Sequence, residues 1–156
     1  MDLVRVVFEI EPPFILNNEL VIRDSPMALD WWQGQDLVVD ILKERFLVNL
    51  VDDAYSIEIN PDLFLVRKKA VLSPTAKCPL QFYFLSLVQK GELEKARKLL
   101  GFEISVPALK KFFGEFDIIL NNYLDCPKTF SILPKGERVA RNLVFTIEGE
   151  RIVDIT

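Results

Sequence analysis

The stretch from Cys78 to Phe116 places the tightest limits on the fold. Gly91 and Gly101 cut it into three helices, each too short to stand alone in water, so their apolar faces must pack on something else in the chain. Pro79 suits a first helical position, where its missing N–H costs nothing, and Leu80, Phe84, Leu87 and Val88 follow at helical spacing with Tyr83 beside them. Gly91 fits a left-handed C-terminal cap. A second helix is predicted over 92–100, acidic at its start (Glu92, Glu94) and basic further on (Lys95, Arg97, Lys98), as the helix dipole favours. A third starts at Ser105, a capping residue, with Pro107 in its first turn. Its stripe of Leu109, Phe112, Phe113 and Phe116 reads as core, because large aromatics are usually buried.

The segments around this unit read as strands and turns, apart from one long helix near the front. Residues 3–10 are rich in β-branched side chains and read as a strand. Phe14-Ile15-Leu16, Asn17-Asn18 and Glu19-Leu20-Val21-Ile22 form a hairpin pattern, since Asn tolerates the positive φ of a two-residue turn. Asp24-Ser25-Pro26 is a helix start, and Met27, Trp31, Val38, Ile41, Leu42 and Phe46 share one face; Gly34 can split this helix in two. Residues 54–59 and 63–72 read as a second hairpin around Asn60-Pro61-Asp62. Residues 118–124 fit a helix end or a strand equally. Residues 129–133, 138–147 and 150–155 form a three-stranded meander joined at Pro134-Lys135-Gly136 and Glu148-Gly149.

The fold class this implies is α+β: an antiparallel sheet of hairpins and a meander packed against four or five helices. The length of 156 residues favours one domain over 1–156. Ser73-Pro74-Thr75-Ala76-Lys77 is the best linker candidate, marking a subdivision into a strand–helix–strand half (1–72) and a helical unit with its meander (78–156).

The chemistry available is narrow. The chain contains no histidine, which excludes Ser-His-Asp and Cys-His catalysis and imidazole metal ligation. No glycine-rich phosphate loop occurs, and two cysteines, Cys78 and Cys126, match no metal or redox spacing. No cofactor, metal or catalytic residue is therefore assigned. A net charge of −4 without a basic block argues against nucleic acid or an anionic membrane as partner. The run Arg67-Lys68-Lys69 reads as a solvated strand end. Asp36 and Asp40 read as a solvated helix face, and Asp52-Asp53 as turn residues. With no signal-peptide pattern and no apolar run near the ~20 residues that span a bilayer, the expectation is a cytoplasmic protein.

Aromatic residues carry the binding expectation. Adjacent Trp31 and Trp32 point about 100° apart on a helix, so one is free to line a seam or an interface, where Trp is enriched. Tyr83, Phe112 and Tyr123 complete the candidate binding residues. The favoured function is a non-enzymatic binding or assembly module with a protein partner or a second copy of itself. The alternative is a small-molecule pocket protein, its small apolar ligand held between helices and meander, or a carboxylate-based enzyme.

One resemblance bears on this choice. The run from Phe84 through Lys90-Gly91-Glu92 to Ala96 resembles the helix–Gly–helix opening of the nuclear-transport-factor-2-like superfamily. The run from Phe145 through Glu148-Gly149-Glu150 to Val153 is similar to that superfamily's last hairpin. The resemblance covers residues 79–156. It implies a cone-shaped domain in a family of enzymes, ligand binders and interaction modules. The family's common Asp–His pairing cannot form here, so the resemblance implies a binding use of the pocket.

Overall fold

The computed structural model describes residues 3–10, 14–16, 19–21, 48–60, 65–75, 78–121 and 129–156. In chain order the elements are strands β1 (Val4–Ile10), β2 (Phe14–Leu16), β3 (Glu19–Val21), β4 (Val48–Asn60) and β5 (Leu65–Pro74), helices α1 (Leu80–Lys90), α2 (Leu93–Arg97) and α3 (Val106–Phe113), and strands β6 (Phe116–Asn121), β7 (Thr129–Pro134), β8 (Arg141–Glu148) and β9 (Arg151–Ile155). Seven strands make one sheet in the order β4-β5-β1-β6-β7-β8-β9, while β2 and β3 pair separately, Leu16 opposite Glu19.

Two expectations are corrected here. The sheet is mixed, because β1 runs parallel to β6 with Val6 opposite Ile118. Among the described residues there are three helices, not four or five; the helix expected over 24–46 lies outside them. Each hairpin in the sequence carries a local turn signal, and such signals report antiparallel neighbours only. A parallel pair needs a long crossover and leaves no mark at either strand. The ambiguous segment is strand β6 as far as Asn121, its last three residues lying outside the described ones, and this takes Phe116 out of the third helix. The first two residues of the linker candidate are also strand: β5 continues through Ser73 and Pro74.

Alternation along the strands decides what covers each face. Val4, Val6 and Phe8 of β1, Ala70 and Leu72 of β5, Phe116, Ile118 and Leu120 of β6, Phe130 and Ile132 of β7, and Leu143 and Phe145 of β8 all join one buried cluster. The helices close this face. From α1 come Phe82, Phe84, Leu85, Leu87 and Val88, from α2 Leu93 and Ala96, and from α3 Leu109 and Phe113. The rings lock edge-on: Phe84 meets Phe113 at 5.7 Å and Phe145 at 6.3 Å between centroids, and Phe130 meets Phe145 at 6.4 Å. Edge-to-face pairs of this kind add to the gain from burial itself. These rings fill the space between helices and meander.

The helix boundaries follow from capping. Pro79 is the N-cap of α1, one position earlier than its ring chemistry suggested, and Gly91 (φ 81°) closes the helix, donating its N–H to the Val88 carbonyl. Ser105 caps α3 by accepting from the Ala108 N–H at 3.2 Å. The connection after α2 serves the sheet. Leu99 O accepts from Ile152 N–H at 2.8 Å, and Gly101 N–H donates to Ile152 O at 2.7 Å. This contact occupies outward backbone groups of β9 where the sheet would otherwise present an open edge. A Cβ at Gly101 would stand 3.1 Å from Val153 Cγ1, a tight contact that the Val153 side chain would have to relieve by a few tenths of an ångström.

Candidate functional site

The opposite face of the sheet has a different chemistry. The alternate residues of β1 are Arg5, Val7 and Glu9; those of β5 include Arg67 and Lys69; those of β6 include Asp117 and Ile119. Val7 and Ile119 are buried but lie outside the main cluster. Between them and the sheet's polar end, charge replaces hydrocarbon. Further along, Ser131 donates its hydroxyl to Asn142 Oδ1 at 2.6 Å across β7 and β8.

Glu9 and Arg67 stand opposite each other on paired strands, and Arg67 is in turn opposite Glu58 in the β4 register. Arg67 Nε donates to Glu9 Oε2 at 3.0 Å; the side chains are only 3% and 10% exposed. Arg67 Nη2 is buried without a hydrogen-bond partner. Leaving such a donor unmade costs roughly 1–3 kcal/mol, and more when the group is charged. The basic run is thus not a solvated strand end: Arg67 is interior to β5 and among the most buried polar residues. Nearer the open end, Arg5 Nε reaches Asp117 Oδ1 at 3.2 Å.

Gln89, from the last turn of α1, joins this end of the sheet to the helical layer. Its Oε1 accepts from the Arg5 N–H at 2.8 Å, and its Nε2 donates to the Arg5 and Phe116 carbonyls, both at 3.0 Å. The parallel ladder of β1 and β6 begins at Val6 and Ile118. The amide therefore stands where the next peptide of that ladder would, and satisfies backbone groups that have no strand partner.

These groups wall a cleft of about 660 Å³. Arg5, Arg67, Lys69, Gln89 and Asp117 form its floor, and the β7–β8 connection from Leu133 through Lys135 to Arg138 forms its rim. That connection is held by a turn in which Glu137 N–H donates to Pro134 O at 3.0 Å, and by Lys135 N–H donating to Glu115 O at 2.9 Å. The Lys135–Glu115 ion pair beside it, at 3.1 Å, has both side chains largely in solvent and contributes little. Among the described residues the lining has five cationic side chains (Arg5, Arg67, Lys69, Lys135, Arg138) and three acidic ones (Glu115, Asp117, Glu137), with Glu9 paired to Arg67 beside them. Such a lining holds polar, charged ligands through charge-assisted hydrogen bonds.

The aromatic candidates lie elsewhere. Trp31, Trp32 and Tyr123 are outside the described residues, as are Asp36, Asp40 and Cys126. Tyr83 is exposed on α1, its carbonyl accepting from the Ser86 hydroxyl at 2.6 Å. Phe112 is 40% exposed on α3, with the Arg141 guanidinium 4.1 Å over its ring and donating to its carbonyl. It leaves the stripe expected to be core. No described contact joins Tyr83 to Phe112. Asp52 and Asp53 belong to β4, not to a turn, beside an irregularity in the pairing with β5. Cys78 carries a free thiol whose pKa burial pushes up, so it stays protonated and weakly nucleophilic near neutrality. Among the described residues no group of three or more Cys, Asp or Glu is placed to hold a metal ion, and no helix is long and apolar enough to cross a membrane.

The cleft residues did leave a partial trace in the sequence. Arg5 and Glu9 are charges at alternate positions of an otherwise apolar strand, a pattern that places both on the face away from the core. Gln89 left none, because its partners are backbone groups 84 and 27 residues away. No family model, curated protein or solved structure matches the chain.

Proposed function

We propose that this chain is a non-enzymatic binding module that takes a polar, charged ligand in the cleft walled by β1, β5, β6 and the β7–β8 connection. The observation that carries this reading is the contrast between the two sheet faces. One is packed by rings, and the other concentrates charge around an open cavity. Binding sites of this kind place a few polar groups convergently on rigid elements. The floor here is three adjacent strands, with Gln89 pinning the first of them to α1. The binding use implied by the nuclear-transport-factor-2-like resemblance belongs to the same proposal and rests on the sequence alone. The assembly half of the expectation has weaker support, because the β9 edge is occupied by Leu99 and Gly101.

The test is a thermal-shift panel of anionic, cationic, neutral polar and apolar small molecules on the full chain. Each hit is recovered and examined by mass spectrometry. Charged compounds are expected to raise the melting temperature and to be recovered unchanged. Replacing the exposed rim residues Lys135 and Arg138 with Glu is expected to weaken the effect. Stabilisation by apolar compounds alone, or chemical conversion of a hit, would sink the reading.

A further inference from the structure

Resting on that binding reading, we propose that the cleft recognises a phosphomonoester group, with Arg67 and Lys69 of β5 as its anchors and Arg5 at its side. Two features converge on this. The first is Arg67. Its guanidinium is 97% buried by side-chain area, lines the cleft, makes one hydrogen bond among the described residues and keeps Nη2 without a partner. Guanidinium N–H groups match the oxygens of phosphate and carboxylate in direction and spacing. An incoming oxyanion supplies the acceptor that the fold does not.

The second feature is spacing. Arg67 and Lys69 are two residues apart on one strand face, about 7 Å along the strand. A tetrahedral oxyanion between them can accept from both. Arg5 is the diagonal neighbour of Lys69, since Arg5 is paired with Val71 and Lys69 with Val7. The three cations thus form a triangle on two adjacent strands. Asp117 stays paired with Arg5 at 3.2 Å.

The experiment titrates the full chain with inorganic phosphate by calorimetry, beside acetate and chloride at matched ionic strength. Phosphate is expected to bind at least tenfold more tightly than acetate. Lys69→Gln and Arg5→Gln are expected to weaken phosphate at least fivefold each. Because Arg67 is paired with Glu9, the double replacement Glu9→Gln with Arg67→Met is used, and it is expected to abolish the phosphate signal while the protein still melts cooperatively. Lys98→Gln, an exposed lysine on the far side of α2, serves as the control and is expected to change nothing. Glycerol phosphate and O-phosphoserine, run in parallel, separate a small-molecule phosphomonoester from a phosphorylated side chain; preference for either supports the site. Equal binding of phosphate and acetate would overturn the proposal, as would a loss with Lys98→Gln as large as that with Lys69→Gln. If phosphate fails while another class from the panel still binds and is lost in the rim variant, the phosphate assignment falls and the binding reading stands. If no class binds, both fall.

Discussion

The two faces of the sheet are built by the same strands and differ in what burial does to them. On the helical face, Val6, Phe8, Ile118 and Phe145 lose contact with water entirely and gain hydrocarbon contacts on every side. On the other face, Glu9 and Arg67 are almost as deeply buried, yet what joins them is a charge-assisted hydrogen bond and what they lose is hydration. The first arrangement stabilises by area. The second balances a desolvation penalty against a Coulomb attraction, and such pairs often stabilise little beyond a well-packed apolar substitute. A face that gives little stability in return for its buried charges is a reasonable place to find recognition. The difference teaches that depth of burial alone does not separate scaffold from site; the chemistry of what is buried does.

The sharpest way to break this comparison is to remove a ring from the helical face. Phe84→Ala is expected to cost about 3–5 kcal/mol in urea unfolding, since Phe84 is fully buried against two other rings. A loss below 1 kcal/mol would mean that this face is not the scaffold. On the opposite face, Glu9→Ala is expected to cost roughly 3 kcal/mol, because Arg67 is left charged and unpaired in the interior. Adding Arg67→Met should restore most of that loss. If the double variant stays as unstable as the single one, the pair is an essential support and the contrast drawn between the faces disappears. The smallest effect belongs to the residue that bridges the layers. Gln89→Ala removes three hydrogen bonds to backbone groups and is expected to cost about 2 kcal/mol. Hydrogen exchange should locate the damage, with the Arg5 amide losing protection while the amides of β8 keep theirs.

Much of the scaffold could be read from the sequence because its signals are local. Gly91 and Ser105 mark helix ends through their own backbone and side-chain chemistry, and the alternation in β1 and β8 sorts residues between faces before any partner is known. The turn at Pro134-Lys135-Gly136 likewise announced the meander. What escaped was whatever depends on a distant partner. Arg67 looked like a solvated charge because its counter-ion, Glu9, lies 58 residues away. The parallel pairing of β1 with β6 has no turn to betray it. Phe112 and Phe113 are adjacent and equally apolar, yet only Phe113 turns inward, and the guanidinium that covers Phe112 comes from β8. The cleft is likewise assembled from long-range relations, so its members could be seen singly in the sequence but not together.

The place of β1 in the middle of the sheet also sets an order of events in time. Its neighbours are β5 on one side and β6 on the other, and Arg5 meets Asp117 across 112 residues of chain. Closing so long a loop is an entropic cost that must be met before the contacts it allows can form, and folding rates fall as such distant contacts come to dominate. During synthesis at ~5–20 residues per second, the parallel partner of β1 emerges several seconds after β1 itself. Through that interval an apolar strand waits with one flank unpaired, open to the wrong partner. The cleft, whose floor is β5, β1 and β6, can exist only after that wait ends, which puts it among the last features of the fold to form.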